Sequence, residues 1–127
     1  GKSITVIDGF LSFTLVHNPG AAFGLLKGKV FLFVLIAIVI GTVILVYLAI
    51  YRQEDPLASW GLVLILSGAI GNMIDRVQYN YVIDYVLIYY KDWSWPVFNL
   101  ADVVINVGVG IIILDLLRDW KPRKIEE

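Results

Sequence analysis

The stretch 97–117, VFNLADVVINVGVGIIILDLL, constrains this chain more than any other. Its 21 residues suffice to cross the roughly 30 Å hydrocarbon core of a bilayer as one helix. Yet it carries Asn99, Asp102 and Asn106. At 3.6 residues per turn, steps of three and seven put all three on one face. A carboxylate central in a span costs about 2.5–3.5 kcal/mol on the insertion scale, so it is a functional residue by default, with a partner to be named. The fold must therefore bring something polar against Asp102.

Composition narrows the classes. A chain of 127 residues is one domain. With 59% hydrophobic residues and a mean hydropathy of +0.81, a water-soluble globule is disfavoured. The net charge of -1 gives no argument for nucleic acid. No cysteine is present, which excludes disulfides, thiolate metal sites and cysteine nucleophiles. The single histidine, His17, leaves little for a metal site or a Ser/His triad, and it reads as a surface or packing residue. Hydrolytic chemistry would rest on carboxylates, and no metal or other cofactor is expected.

Residues 1–29 do not span a membrane. Residues 4–7 read as a strand, Asp8-Gly9 as a turn and residues 10–16 as a second strand. Leu11, Phe13 and Leu15 alternate with Ser12 and Thr14, giving one apolar and one mixed face. This predicts a β-hairpin cap packed against the membrane face. Asn18-Pro19-Gly20 supplies turn chemistry, and the small residues of Ala21-Ala22-Phe23-Gly24 allow close backbone approach.

Residues 30–51 form an uncharged span of 22, with Gly41 and Thr42 as expected helix contacts. A polar loop, Arg52 to Pro56, leads to a second span at 57–74. There Ser67 and Gly71 make a small-xxx-small pair, and Asn72, Asp75 and Arg76 share one face at the helix end. The connector 78–96 is rich in tyrosine and tryptophan, as at a membrane–water interface, and places Asp84 inside an apolar run. It reads as an interfacial segment with Asp84 directed inward, or as a short helix from Tyr85 with Asp84 as its cap. In the last span Gly108 and Gly110 read as packing residues. Asp115, about 220° around the helix from Asp102, reads as the partner of Arg118. Asp8 is assigned to a turn, Glu126 and Glu127 to a tail.

Arg118, Lys121, Arg123 and Lys124 mark the C-terminal end as cytoplasmic. Three spans then place residues 1–29 and the Arg76 end outside and the Arg52 loop inside. The expectation is a single membrane domain: an extracytoplasmic β segment at 1–29 and spans at 30–51, 57–74 and 97–117. An outside N-terminus with no preceding span leads us to expect a further helix upstream, lost by truncation or processing.

This topology gathers Asn72, Asp75, Arg76, Asp84, Asn99 and Asp102 at similar depth. Two close carboxylates in low dielectric do not both ionise readily, and such a pair can hold and activate a water for attack on a carbonyl. The asparagines can orient the acids or a peptide, and Arg76 can offset charge or anchor a loop. A small transporter or proton-pathway subunit with Asp102 as carrier is the alternative that spacing leaves open. An inactive truncated form is another.

Four motifs occur in order: Asn18-Pro19-Gly20-Ala21-Ala22-Phe23-Gly24, Gly71-Asn72-Met73-Ile74-Asp75-Arg76, Val82-Ile83-Asp84-Tyr85 and Phe98-Asn99-Leu100-Ala101-Asp102. In that order they resemble bacterial lipoprotein signal peptidase, signal peptidase II, over nearly the whole chain. The resemblance implies an aspartyl endopeptidase of the bacterial cytoplasmic membrane, with its active site on the extracytoplasmic side. Such an enzyme cuts prolipoproteins before the diacylglyceryl-modified cysteine. It implies Asp84 and Asp102 as catalytic, with Asn18, Asn72, Asp75, Arg76 and Asn99 supporting the site or contacting substrate and globomycin-type inhibitors. The implied partners are thus prolipoproteins and membrane lipid. The implied fold is an α-helical transmembrane bundle, three spans here and four in the family, with a small β-cradle on the outer face. The family's first helix, bearing an Asp and a Lys near its outer end, has no counterpart in this sequence. Tyr85 stands where phenylalanine is frequent, and Ser67 where glycine or alanine is.

Overall fold

The computed structural model describes residues 2–120. Gly1 and residues 121–127 lie outside the described residues, and with them Lys121, Arg123 and Lys124 of the orientation argument and the Glu126-Glu127 tail. The order of elements is β1 (Ser3–Ile7), β2 (Leu11–Asn18), a 3-10 turn (Ala22–Gly24), α1 (Val30–Tyr51), α2 (Pro56–Tyr79), β3 (Val82–Tyr90), β4 (Trp93–Ser94) and α3 (Leu100–Asp119). All three α-helices are long and apolar enough to cross a membrane.

Each helix has a local reason for its limits. Pro56 opens α2 at a position where its missing N–H is no loss, and the Asp55 carboxylate caps it by accepting from the Ala58 N–H at 3.2 Å. No residue breaks α2 at Ile74, so it continues to Tyr79. Asn80 ends it in the left-handed conformation, its N–H reaching the Arg76 carbonyl at 3.0 Å. Helix α3 starts at Leu100 rather than at Val97, because Asn99 is its N-cap. The Asn99 side chain accepts from the Asp102 N–H at 3.0 Å, and the Asp102 carboxylate accepts from the Asn99 N–H at 3.2 Å. The carboxylate that the sequence placed within the last span is therefore a first-turn residue of α3. It sits at the positive end of the helix dipole, which lowers the cost of its charge.

Helices α2 and α3 pack backbone to backbone. A Cβ on Gly68 would lie 2.5 Å from the Ala101 carbonyl oxygen, and one on Gly108 would lie 2.6 Å from the Gly61 carbonyl oxygen. Gly61, Gly68 and Gly108 thus form the seam. The expected Ser67–Gly71 pair does not: Ser67 donates to the Val63 carbonyl of its own helix, and a Cβ on Gly71 would meet only an ordinary 3.5 Å contact. Gly110 meets nothing within 4 Å and is not a packing residue. Gly41 lies against Leu66 of α2, whereas Thr42 back-bonds to the Ile38 carbonyl.

The strands form one antiparallel sheet in the order β1-β2-β3-β4. The expected hairpin is its first half. The connector 78–96 is not a helix from Tyr85: it holds β3, the sheet's longest strand, and β4, with Asp84 directed inward as expected. Between Phe13 and Val16 the register of β2 against β3 shifts by one, because Thr14 and Leu15 together oppose Tyr85. This bulge sets Val16 opposite Asp84 and Asn18 opposite Val82. The faces of β2 are also the reverse of a soluble hairpin. Ser12 is buried and within hydrogen-bond distance of the Tyr89 hydroxyl, while Phe13 and Leu15 are exposed. The same inversion holds throughout: Asn72, Asp84 and Asn99 are buried, and large apolar side chains cover the outside. That is the arrangement for a chain whose solvent is hydrocarbon.

Candidate active site

Asp84 lies on β3, the central partner of β2, and is 2% exposed. Its Oδ2 accepts from the Asn18 amide at 2.9 Å, across the bulged strand pair. Its Oδ1 accepts from the Asn99 amide at 3.1 Å. Asp102, in the first turn of α3, accepts from the Asn72 amide at 3.0 Å and from the Asn99 backbone N–H. Asn99 also donates to the Asn72 Oδ1 at 2.9 Å. Two asparagines therefore tie the two carboxylates into one network, each amide serving both acids directly or through the other.

Strand β3 is held to the start of α3 independently. Phe98 exchanges backbone hydrogen bonds with Val86, and its carbonyl also accepts from the Tyr85 N–H. The Leu100 N–H, one of the unpaired donors at the helix start, donates to the Tyr85 hydroxyl at 3.1 Å. A phenylalanine at position 85 would lack that acceptor.

Both carboxylates line a cavity of about 680 Å³. Asn18, Gly20, Asn72 and Arg76 supply much of its polar wall; Trp95, Phe98, Val103 and Val107 supply an apolar one. Asp75 and Asn99 stand behind this wall. Asp75 accepts from the Ile83 N–H at 3.1 Å and so anchors β3. Arg76 donates to the Gly20 carbonyl at 3.4 Å and lies over the Phe33 ring at 4.2 Å. It ties the 18–29 loop to α2 as well as facing the cavity. Gly20 is needed there: a Cβ would come within 2.6 Å of the Leu25 carbonyl oxygen. His17 stacks on Tyr81 at 4.1 Å, and Asp115 pairs with Arg118 at 3.0 Å.

Burial pushes the Asp84 carboxyl above the usual aspartate range. The Asn18 hydrogen bond opposes that rise, the charge of Asp102 adds to it, and Arg76 and the Asn99 hydrogen bond offset it in part. Among the described residues no group of His, Cys, Asp and Glu could hold a metal ion. Of the lining residues that sequence reasoning did not single out, Trp95 and Pro96 had no marker beyond membership of an aromatic connector, and Val97 and Phe98 read only as the start of the last span and of its motif.

Three helices long and apolar enough to span a membrane, with a sheet that brings two carboxylates to one cavity, define an integral membrane protein. Comparison with known proteins is specific. The family model for signal peptidase (SPase) II matches residues 1–118. A lipoprotein signal peptidase of Clostridium tetani is 39% identical, over 98% of this chain and 82% of its own length. One of Geobacter sulfurreducens is 43% identical, over 96% and 78%. A solved bacterial membrane enzyme superposes on the whole chain with a TM-score of 0.89, at 35% identity and covering 77% of that enzyme. The chain belongs to the signal peptidase II family and is a multi-pass membrane protease.

Proposed function

We propose that this protein is an aspartyl endopeptidase that removes signal peptides from prolipoproteins, cutting before the lipid-modified cysteine, with Asp84 and Asp102 as its catalytic pair. The observation that carries the assignment is the asparagine network, which holds both acids against one cavity. Asp84, its carboxyl pushed upward by burial, is the member that keeps a proton. Asp102, at the positive end of α3, is the base. A water between them gives a proton to Asp102 as its oxygen attacks the scissile carbonyl carbon, while Asp84 protonates the carbonyl oxygen. Collapse of the tetrahedral intermediate breaks the C–N bond, with a proton passing to the departing amine of the cysteine.

Asn18 and Asn72 aim the acids, and Arg76 braces the loop over the site. The membrane is the bacterial cytoplasmic membrane, and the β-sheet end faces away from the cytoplasm. The apolar wall suits a diacylglyceryl chain and a hydrophobic signal peptide, and globomycin-type peptides would compete for it. Asp84→Asn and Asp102→Asn should each reduce cleavage of a diacylglyceryl-cysteine lipopeptide at least about a thousandfold with folding intact. Cleavage at the native rate by either variant would remove the pair as the catalyst.

A further inference from the structure

Asn106 shares the polar face of α3 but takes no part in the carboxylate network. It lies one turn beyond Asp102, about 6 Å further along the helix axis. It lines the cavity between apolar neighbours, Val103, Ile105 and Val107. One amide N–H goes to the Asp102 carbonyl oxygen at 2.9 Å. Among the described residues, its other N–H and its Oδ1 take no hydrogen bond. An uncommitted carboxamide on the valine-rich wall of a membrane-spanning helix is costly once water is displaced, unless a partner arrives with the displacing group.

The substrate has the complementary difficulty. A peptide must be extended around its scissile bond for water to reach the carbonyl carbon. Extended backbone in an apolar cleft has N–H and C=O groups with nowhere to go. A carboxamide offers one donor and one acceptor side by side, which matches a single peptide unit. An offset of about 6 Å corresponds to roughly two extended residues.

We propose that Asn106 holds a backbone peptide unit of the signal peptide, about two residues before the scissile bond, and so selects substrates that unwind there. The location of that bond rests on the Asp84–Asp102 reading.

The test uses the full chain in lipid nanodiscs and lipopeptide substrates in which single amides before the cysteine are replaced by esters. An ester removes the N–H and weakens the C=O as an acceptor. On the all-amide substrate Asn106→Leu should lower kcat/KM about tenfold, mainly through KM, with an unchanged thermal midpoint. One ester position should cost the native chain about as much and cost Asn106→Leu nothing further. Unchanged kcat/KM in Asn106→Leu, or equal ester penalties in both chains at every position, overturns the proposal. Asp102→Asn in the same assay reads the catalytic pair separately: if it cleaves, the pair falls, while the Asn106–ester coupling is still read from the native chain.

Discussion

Asp84 is where the opposing demands on this protein meet. Its burial favours the neutral carboxyl, and the nearby Asp102 charge does the same. The Asn18 and Asn99 amides favour the anion. With the balance raised above the ordinary aspartate value, the native state binds more protons than the unfolded chain in the interval between the two. The contribution of Asp84 to stability is therefore fully present below the ordinary value of 3.8 and is lost as pH rises through the raised one. Thermal unfolding in detergent from pH 3.5 upward should show that decline in the native chain, and Asp84→Asn should flatten it. Much of this residue-level picture was legible in the sequence. Asn72, Asp84, Asn99 and Asp102 were marked by polarity within or at the end of apolar runs, whereas Asn18 read only as turn chemistry and entered the site through the family resemblance. What spacing could not reveal was division of labour: Asn99 and Asp102 read as two polar residues on one helical face, yet one caps the helix and the other occupies its first turn.

At the scale of the element, the α2–α3 seam decides whether the site exists. Gly68 lies against the Ala101 carbonyl, one residue before Asp102. Gly68→Ala forces a methyl group into backbone that cannot move aside. It should destabilise the protein by about 1–3 kcal/mol and reduce cleavage as α3 is pushed away. Gly110→Ala, whose added carbon meets nothing, should leave both unchanged. Reversible unfolding in mixed micelles, followed by near-UV circular dichroism, distinguishes the two. The sequence contained the small residues but not which of them faced the neighbour. Ser67 and Gly71 satisfy the four-residue spacing rule, whereas Gly61 and Gly68 lie seven apart, two helical turns, and it is the rotation of α2 about its axis that turns the second pair toward α3.

For the whole molecule, the spans were legible because hydrocarbon admits few structures, and a run of some twenty apolar residues leaves little choice. The sheet was legible only in part. Strand β3, VIDYVLIYY, is apolar on both faces around a single acid, so it lacks the alternation that marks a strand with one wet side. Strand β2 does alternate, but its mixed side turns inward, where Ser12 finds the Tyr89 hydroxyl, while Phe13 and Leu15 are left outside. A hydropathy pattern tells which residues share a face; it does not tell which face meets the protein when the surroundings are lipid.

The bulge at Thr14 and Leu15 has a consequence for how the chain tolerates change. With the extra residue, Asn18 falls on the same side of the sheet as Asp84. Without it, every position from Val16 onward would turn over, and the Asn18 amide would point away. Replacing Leu15 by alanine should thus leave processing of a lipopeptide near the native rate, whereas deleting Leu15 should abolish it. Strand β2 behaves as a counting device: the number of links between Gly9 and Asn18 matters to cleavage more than the identity of those links, and a one-codon loss there would silence the enzyme.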